Sequence, residues 1–174
     1  MDNLKQNLSL WDIFQEYFPL CIWRHDPLDL HPSSIFFKFN LVIYYCVELF
    51  MQANMIDPWE AFWEVNLETL FTLGFVALMM MINRNFDRYL QVATSFLICE
   101  NIIAVVAIPV MIWLTVTDDL WSYITFGILV FWDVTLVTYI IKKVLKINVF
   151  ASLAVAFIYF ACTYGGAYGL MLLI

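Results

Sequence analysis

The sequence predicts an all-α integral membrane bundle of about five transmembrane helices, preceded by an amphipathic helix at the membrane interface. Three observations predict it. First, 64% of the residues are hydrophobic and only 13% are charged, whereas a soluble domain is about half apolar and about a quarter charged. One core of this chain length cannot bury that much apolar surface, and lipid is the second solvent that can. Second, apolar segments of the length a hydrocarbon core requires, about 20 helical residues, recur along the chain between short polar breaks. Third, the basic residues occupy only alternate breaks, which is how positive-inside topology is written in a sequence.

Residues 1–33 are read as a cytoplasmic or interfacial segment, and residues 34–174 as the transmembrane domain. The opening MDNLKQNLSLWDIFQEYF lacks the basic start and continuous apolar core of a secretory signal, so insertion is expected to be directed by the first span, without cleavage. Leu8, Leu10, Trp11, Phe14, Tyr17, Phe18 and Cys21 recur at near-helical spacing, with Asp12, Gln15 and Glu16 between them. The polar face is acidic, so anionic lipid would not attract it; packing against the protein's own spans or a partner is favoured. Pro19 ends or kinks this helix. Pro27 and Pro32 then mark an extended connector that holds both histidines, His25 and His31. Loop histidines in solvent are the simpler reading of that pair, ahead of a metal site.

Ser33 and Ser34 can cap the first span, expected over 35–56, and Asp57-Pro58 breaks it. The further spans are expected over 62–82, 90–116, 120–141 and from 149 onward. Their short connections suit antiparallel neighbours in one bundle. Pro109 removes a backbone donor in the third span and predicts a kink there.

Orientation follows from charge. Lys5, Arg24 and Lys38 precede or open the first span, Arg84 and Arg88 separate the second from the third, and Lys142, Lys143 and Lys146 separate the fourth from the fifth. The other two breaks hold Asp57, Glu60, Asp118 and Asp119 and no basic residue. The expectation is a bacterial inner-membrane protein with a cytoplasmic N-terminus and an external C-terminus, with the two arginines and three lysines as topology anchors. Trp59, Trp63, Trp113 and Trp121 then form an aromatic belt at the outer ends, and Trp132 is a packing residue deeper in.

Carboxyls inside spans are costly and face a bundle interior or water. Glu48, Glu68, Glu100 and Asp133, with Asn101, form a candidate intramembrane polar layer. Glu100 lies about ten residues into its span and Asp133 about eight, so a rise of about 1.5 Å per residue sets them at similar depth. Glu48 and Glu68 share a level nearer the outer side. Asn40, Tyr44, Glu48 and Gln52, spaced by four, make one polar stripe on the first span. Such a stripe must be covered by protein or water rather than lipid. One reading is interhelical hydrogen-bond glue, within the bundle or to a partner subunit. The other is a proton or cation path.

In the last span Ala161, Gly165 and Gly169 make a small-residue face that lets another helix approach, from this bundle or from a partner. The four cysteines, Cys21, Cys46, Cys99 and Cys162, show no metal spacing and read as small hydrophobes. No hydrolase, nucleotide-binding, haem or metalloprotease motif is present in the sequence, and no cofactor is implied. The net charge of −7 argues against nucleic acid.

DPLDLHPSS before the first span, RNFDRYLQVATSFLICENIIAVVAIPV around the third and KVLKINVFASLAVAFIYF entering the fifth resemble the Yip1-domain superfamily. They are closer still to uncharacterised bacterial relatives. The resemblance implies five spans with the N-terminus inside and the C-terminus outside, and more distantly a membrane-trafficking role. It transfers no catalytic residue. The function expected from the sequence is therefore a non-enzymatic accessory, scaffold or assembly subunit. Its partners would be the bilayer and other membrane subunits or further copies of itself. The alternatives are a small proton or cation channel using the intramembrane carboxylates, and a lipid-handling protein with a lateral groove beside the N-terminal helix.

Overall fold

The computed structural model describes residues 9–117 and 119–172. Lys5, Leu8 and Asp118 of the readings above, and the last two residues, lie outside these. The described residues are helical with no strand, and five helical segments are long and apolar enough to cross a membrane.

The first helix, α1 (Leu10–Tyr17), starts where Ser9 and Asp12 form a reciprocal capping box. Ile13 and Tyr17 are buried, whereas Trp11 and Phe18 are exposed. A 3-10 turn, Phe18–Ile22, follows at Pro19. The segment does not lie apart from the bundle. Ile13, Tyr17, Leu20, Cys21, Leu28 and Leu30 belong to the same core cluster as the spans. Cys21 sits with its sulfur 3.6 Å from that of Cys99, and its carbonyl accepts from the Trp132 indole at 3.3 Å. The turn is thus wedged beside the middle of two spans. An acidic outer face with a wholly apolar inner one leaves packing on the protein's own helices as the way to bury Tyr17 and Leu20.

The connector is tied down by backbone carbonyls. That of His25 accepts from the Tyr139 hydroxyl at 3.1 Å, that of His31 from the Tyr17 hydroxyl at 3.0 Å, and that of Leu30 from Gln91 at 2.7 Å. Burial pushes the Tyr17 phenol up, which keeps it a donor. Arg88 donates to the carbonyl of Leu28, and Lys143 pairs with Asp26 at 3.7 Å. These two residues thus fix the connector to the basic end of the bundle as well as marking that end by charge.

The spans are α2 (Ser34–Ala53), α3 (Pro58–Ile82), α4 (Tyr89–Thr117), α5 (Leu120–Leu145) and a last one in three parts. In that last span α6 (Val149–Phe160) passes through a π-helical turn, Ala161–Gly165, into α7 (Gly166–Met171). Three boundaries differ from the sequence expectation by three or four residues: α2 ends at Ala53 rather than 56, and two others move outward. α3 begins four residues earlier, because Asp57 caps it and Pro58 fits the first helical position. α5 runs four residues further, since Lys142 and Lys143 suit the negative end of a helix dipole. α4 continues through Pro109.

α4 is central. It packs on α2, α3, α5 and the N-terminal 3-10 turn, and every residue from Gln91 to Asn101 is buried. Being covered on all sides, it can carry polar groups in its middle without showing them to lipid. At the acidic end Trp59, Trp63 and Trp121 are exposed among other aromatics, with Trp59 and Trp63 edge to face.

Candidate functional site

The buried face of α2 is Phe36, Asn40, Tyr44 and Glu48, each one turn after the last. A four-residue step advances slightly more than one helical turn, so these side chains form a single stripe against α3 and α4. Gln52 continues it half-buried. By hydrogen bonding and shared cavity, the polar residues around this stripe fall into three groups.

The first group is a pair. Asn101 Nδ2 donates to the Asn40 carbonyl at 3.0 Å and to Asn40 Oδ1 at 3.3 Å, while Asn40 Nδ2 donates to its own helix at Phe36. Asn101 follows Glu100 by about 100° around α4, which turns it toward α2 and away from its neighbour's direction. The second is also a pair: Gln52 Nε2 donates to Glu68 Oε2 at 2.7 Å, joining α2 to α3. Both pairs are interhelical ties.

The third group is a chamber. Glu48 of α2, Glu100 of α4, Asp133 of α5 and Tyr164 of the π turn line one cavity of about 170 Å³, walled otherwise by apolar groups such as Met51, Ile103 and Leu129. Glu100 lies 11 residues from the start of α4 and Asp133 12 residues from the end of α5. At about 1.5 Å per residue, both are roughly 17–18 Å from the basic end. By the same count Glu48, 14 residues from the start of α2, and Glu68, 14 from the end of α3, share a level about 21 Å from that end, and Glu48 faces the chamber from there.

Glu100 Oε1 accepts from the Tyr159 hydroxyl at 3.3 Å, and that hydroxyl is 3.2 Å from Thr72 Oγ1. A hydroxyl chain therefore runs from α3 through α6 to the carboxyl on α4. Asp133 Oδ1 is buried with no hydrogen-bond partner among the described residues, as are Gln52 Oε1, Asn101 Oδ1 and Thr163 Oγ1. Buried polar atoms left in this state are uncommon and ask for a reason, such as a catalytic role or a bound water or ion. No Lys or Arg lines the chamber, and among the described residues no three His, Cys, Asp or Glu side chains close up into a metal-ligand set. The carboxyls face a common space with room for several waters and do not converge on one point.

Met51 also lines a second cavity of about 360 Å³ between α2 and α4, bounded by Asn54, Met111 and Thr115. The two cavities share that one flexible side chain. Together they trace a route from the carboxyls toward the acidic end.

Sequence reasoning missed Tyr159, Tyr164 and Thr72. Tyrosines in an apolar span read as interfacial or packing residues, and the π turn that aims Tyr164 has no periodic signature. It inserts a residue into the helical count, and π turns are common at functional sites. The same turn re-aims the small-residue face. Ala161 and Gly165 are exposed, and Gly165 and Gly169 have open space beside them. Close packing inside the bundle is made instead by buried Ala167 and by Gly166, whose position a Cβ would fill to within 3.3 Å of Phe71.

No family model, curated protein or solved structure matches the chain.

Proposed function

We propose that the protein conducts protons across its membrane, or couples them to a transport step, through Glu48, Glu100 and Asp133. The observation that carries this reading is the convergence of three carboxyls from three helices on one chamber, with Asp133 Oδ1 left without a partner. Intramembrane acids placed this way mark ion and proton pathways. A proton needs only a relay of carboxyls, hydroxyls and water, whereas a dehydrated cation needs ligands closing on one point. The hydroxyls of Tyr159 and Thr72 extend the relay toward α3, and the Met51 side chain stands between the chamber and the route to the acidic end. By charge, the acidic end is the external one in an inner membrane, with the N-terminus inside.

Vesicles reconstituted with the full chain, carrying a pH-sensitive dye and a potassium diffusion potential, test it. Proton flux should exceed that of protein-free vesicles, and Glu100→Gln or Asp133→Asn should reduce it. Flux no greater than the protein-free background removes the proposal.

A second reading, an accessory or assembly subunit of a larger membrane complex, is favoured by the outward small-residue face of Ala161 and Gly165. A helix of another subunit can approach closely there. Purification in mild detergent should then recover one reproducible partner, lost on Gly165→Leu. A well-behaved monomer counts against it.

A further inference from the structure

On the outside of the bundle, α5 and α6 leave an apolar groove of about 650 Å³, lined by Gly127, Val134, Leu153 and Phe157 and closed at the basic end by Trp23 and Lys142. From Gly127 to Lys142 it follows α5 for about 22 Å at the helical rise. That exceeds one leaflet's share, about 15 Å, of the hydrocarbon core and matches the reach of a lipid tail.

Two features at the basic end say more than the apolar wall does. Trp23 has φ 58°, in the left-handed region. It ends the 3-10 turn, with Arg24 N–H returning to the Pro19 carbonyl at 3.0 Å. Glycine is the usual residue at such a position, and a bulky aromatic there is an outlier that surrounding structure must hold in place. Here the strain sets an indole, 46% exposed, over the groove mouth. Arg84 and Lys146 take the same conformation, so the backbone here is a helix-end cap, and what bears on a ligand is that it leaves the indole exposed beside the apolar wall. The second feature is charge. Lys143 is committed to Asp26 and to the face of Tyr139. Lys142, one position before it, is exposed and has no carboxylate partner among the described residues. Arg24 beside Trp23 is exposed as well.

We infer that this groove binds one anionic phospholipid from the basic-end leaflet, an acyl chain lying along α5 and α6 beneath Trp23 and the headgroup phosphate at Lys142. An unpaired ammonium beside a tail-length apolar slot complements that ligand at both ends. A zwitterionic lipid with the same chains offers Lys142 a phosphate but cancels its charge. This site is separate in chemistry from the carboxyl chamber, and Glu100→Gln should leave it unchanged.

Gly127 gives a test that preserves folding, because a Cβ there meets nothing within 4 Å. The full chain, delipidated in detergent, is exchanged against phosphatidylglycerol or phosphatidylcholine of identical chains. Native mass spectrometry counts retained lipid, and brominated chains report proximity by quenching Trp23, identified by difference from Trp23→Phe. One phosphatidylglycerol should be retained per chain with Trp23 quenched. Lys142→Gln should weaken retention by roughly fivefold, the factor one lysine near an anionic surface supplies. Gly127→Phe should abolish retention while the melting profile stays that of wild type. The inference is overturned if wild type retains no phosphatidylglycerol. It is also overturned if both lipids are held equally and neither variant changes this, which is annular lipid only. Finding the groove filled by a helix of a second copy or another protein overturns it too. Wild-type quenching keeps the test decisive should a variant misfold.

Discussion

Replacing Asp133 by leucine should make the bundle more stable, and that sign separates a working chamber from hydrogen-bond glue. Asp133 Oδ1 is buried with no partner, and a buried unsatisfied polar atom costs about 1–3 kcal/mol. Leucine is close to aspartate in length and extends into a cavity of about 170 Å³, so overpacking is avoided. It also gains a few tenths of a kcal/mol in helix propensity, about 0.5. The expected change is about 1–2 kcal/mol of stabilisation. Most substitutions move the other way by about 1 kcal/mol, so the outcome is diagnostic. The control is Gln52→Leu. It deletes the 2.7 Å bond to Glu68 and strands that carboxyl, a cost of about 1–3 kcal/mol set against relief of its own unpartnered Oε1, so it should not stabilise. Both are read by reversible unfolding in mixed micelles with increasing denaturing detergent, with two probes required to coincide. Asp133→Leu should also lose proton flux, giving a protein that is steadier and inactive. If it instead destabilises by about 1 kcal/mol or more, Asp133 holds helices together and the chamber reasoning fails. Stabilisation with flux intact would equally remove Asp133 from the path.

Three other outcomes follow from the same geometry. Asn101→Leu removes both bonds to Asn40 and should cost about 0.6–1.7 kcal/mol in the unfolding assay, the range of interhelical bonds in membranes, with flux retained. Gly166→Leu drives a side chain into Phe71, 3.3 Å from where its Cβ would stand, and should destabilise by about 1–3 kcal/mol. Gly165→Leu, facing open space, should stay within about 0.5 kcal/mol of wild type. Mild oxidation should join Cys21 to Cys99, whose sulfurs are 3.6 Å apart. A protease clip introduced at the exposed loop around Asn85 then leaves the two fragments linked until reductant is added. Fragments that separate at once would show that the N-terminal turn is not wedged beside α4.

The membrane class and the five long helices were legible because lipid imposes a crude rule, long apolar runs with polar breaks, that survives without tertiary detail. Asp57-Pro58 was read only as the end of the first span, and its second role, as cap and first position of α3, was missed. The stripe Asn40, Tyr44, Glu48, Gln52 was legible as one face because a single helix fixes its own phase. What that face meets was not, since partners across helices depend on rotation of each span about its axis. Glu68 and Glu48 sit at neighbouring levels, yet one reaches Gln52 and the other the chamber. The N-terminal segment was expected to pack on the protein's own spans or on a partner, but which spans it meets was not legible, for a related reason. Its amphipathicity is the same whether the apolar side meets lipid or Cys99 and Trp132.

The chamber's position follows from the break in the last span. An α-helix continuing from Phe160 would carry Tyr164 about one turn on, above its own residue 160. The π turn Ala161–Gly165 widens that step and still stacks Phe160 on Tyr164, ring centroids 6.0 Å apart, while delivering Tyr164 to the carboxyls. It leaves Thr163 Oγ1 buried without a partner, a cost that packing alone does not repay. Four buried polar atoms lack a hydrogen-bond partner among the described residues: Asp133 Oδ1, Thr163 Oγ1, Gln52 Oε1 and Asn101 Oδ1. Gln52 and Asn101 carry theirs beside a bond that ties two helices, whereas Asp133 Oδ1 faces the cavity without one. An interhelical bond is what separates the ties at Asn40–Asn101 and Gln52–Glu68 from the open carboxyl of Asp133, and the proposed proton path rests on that difference.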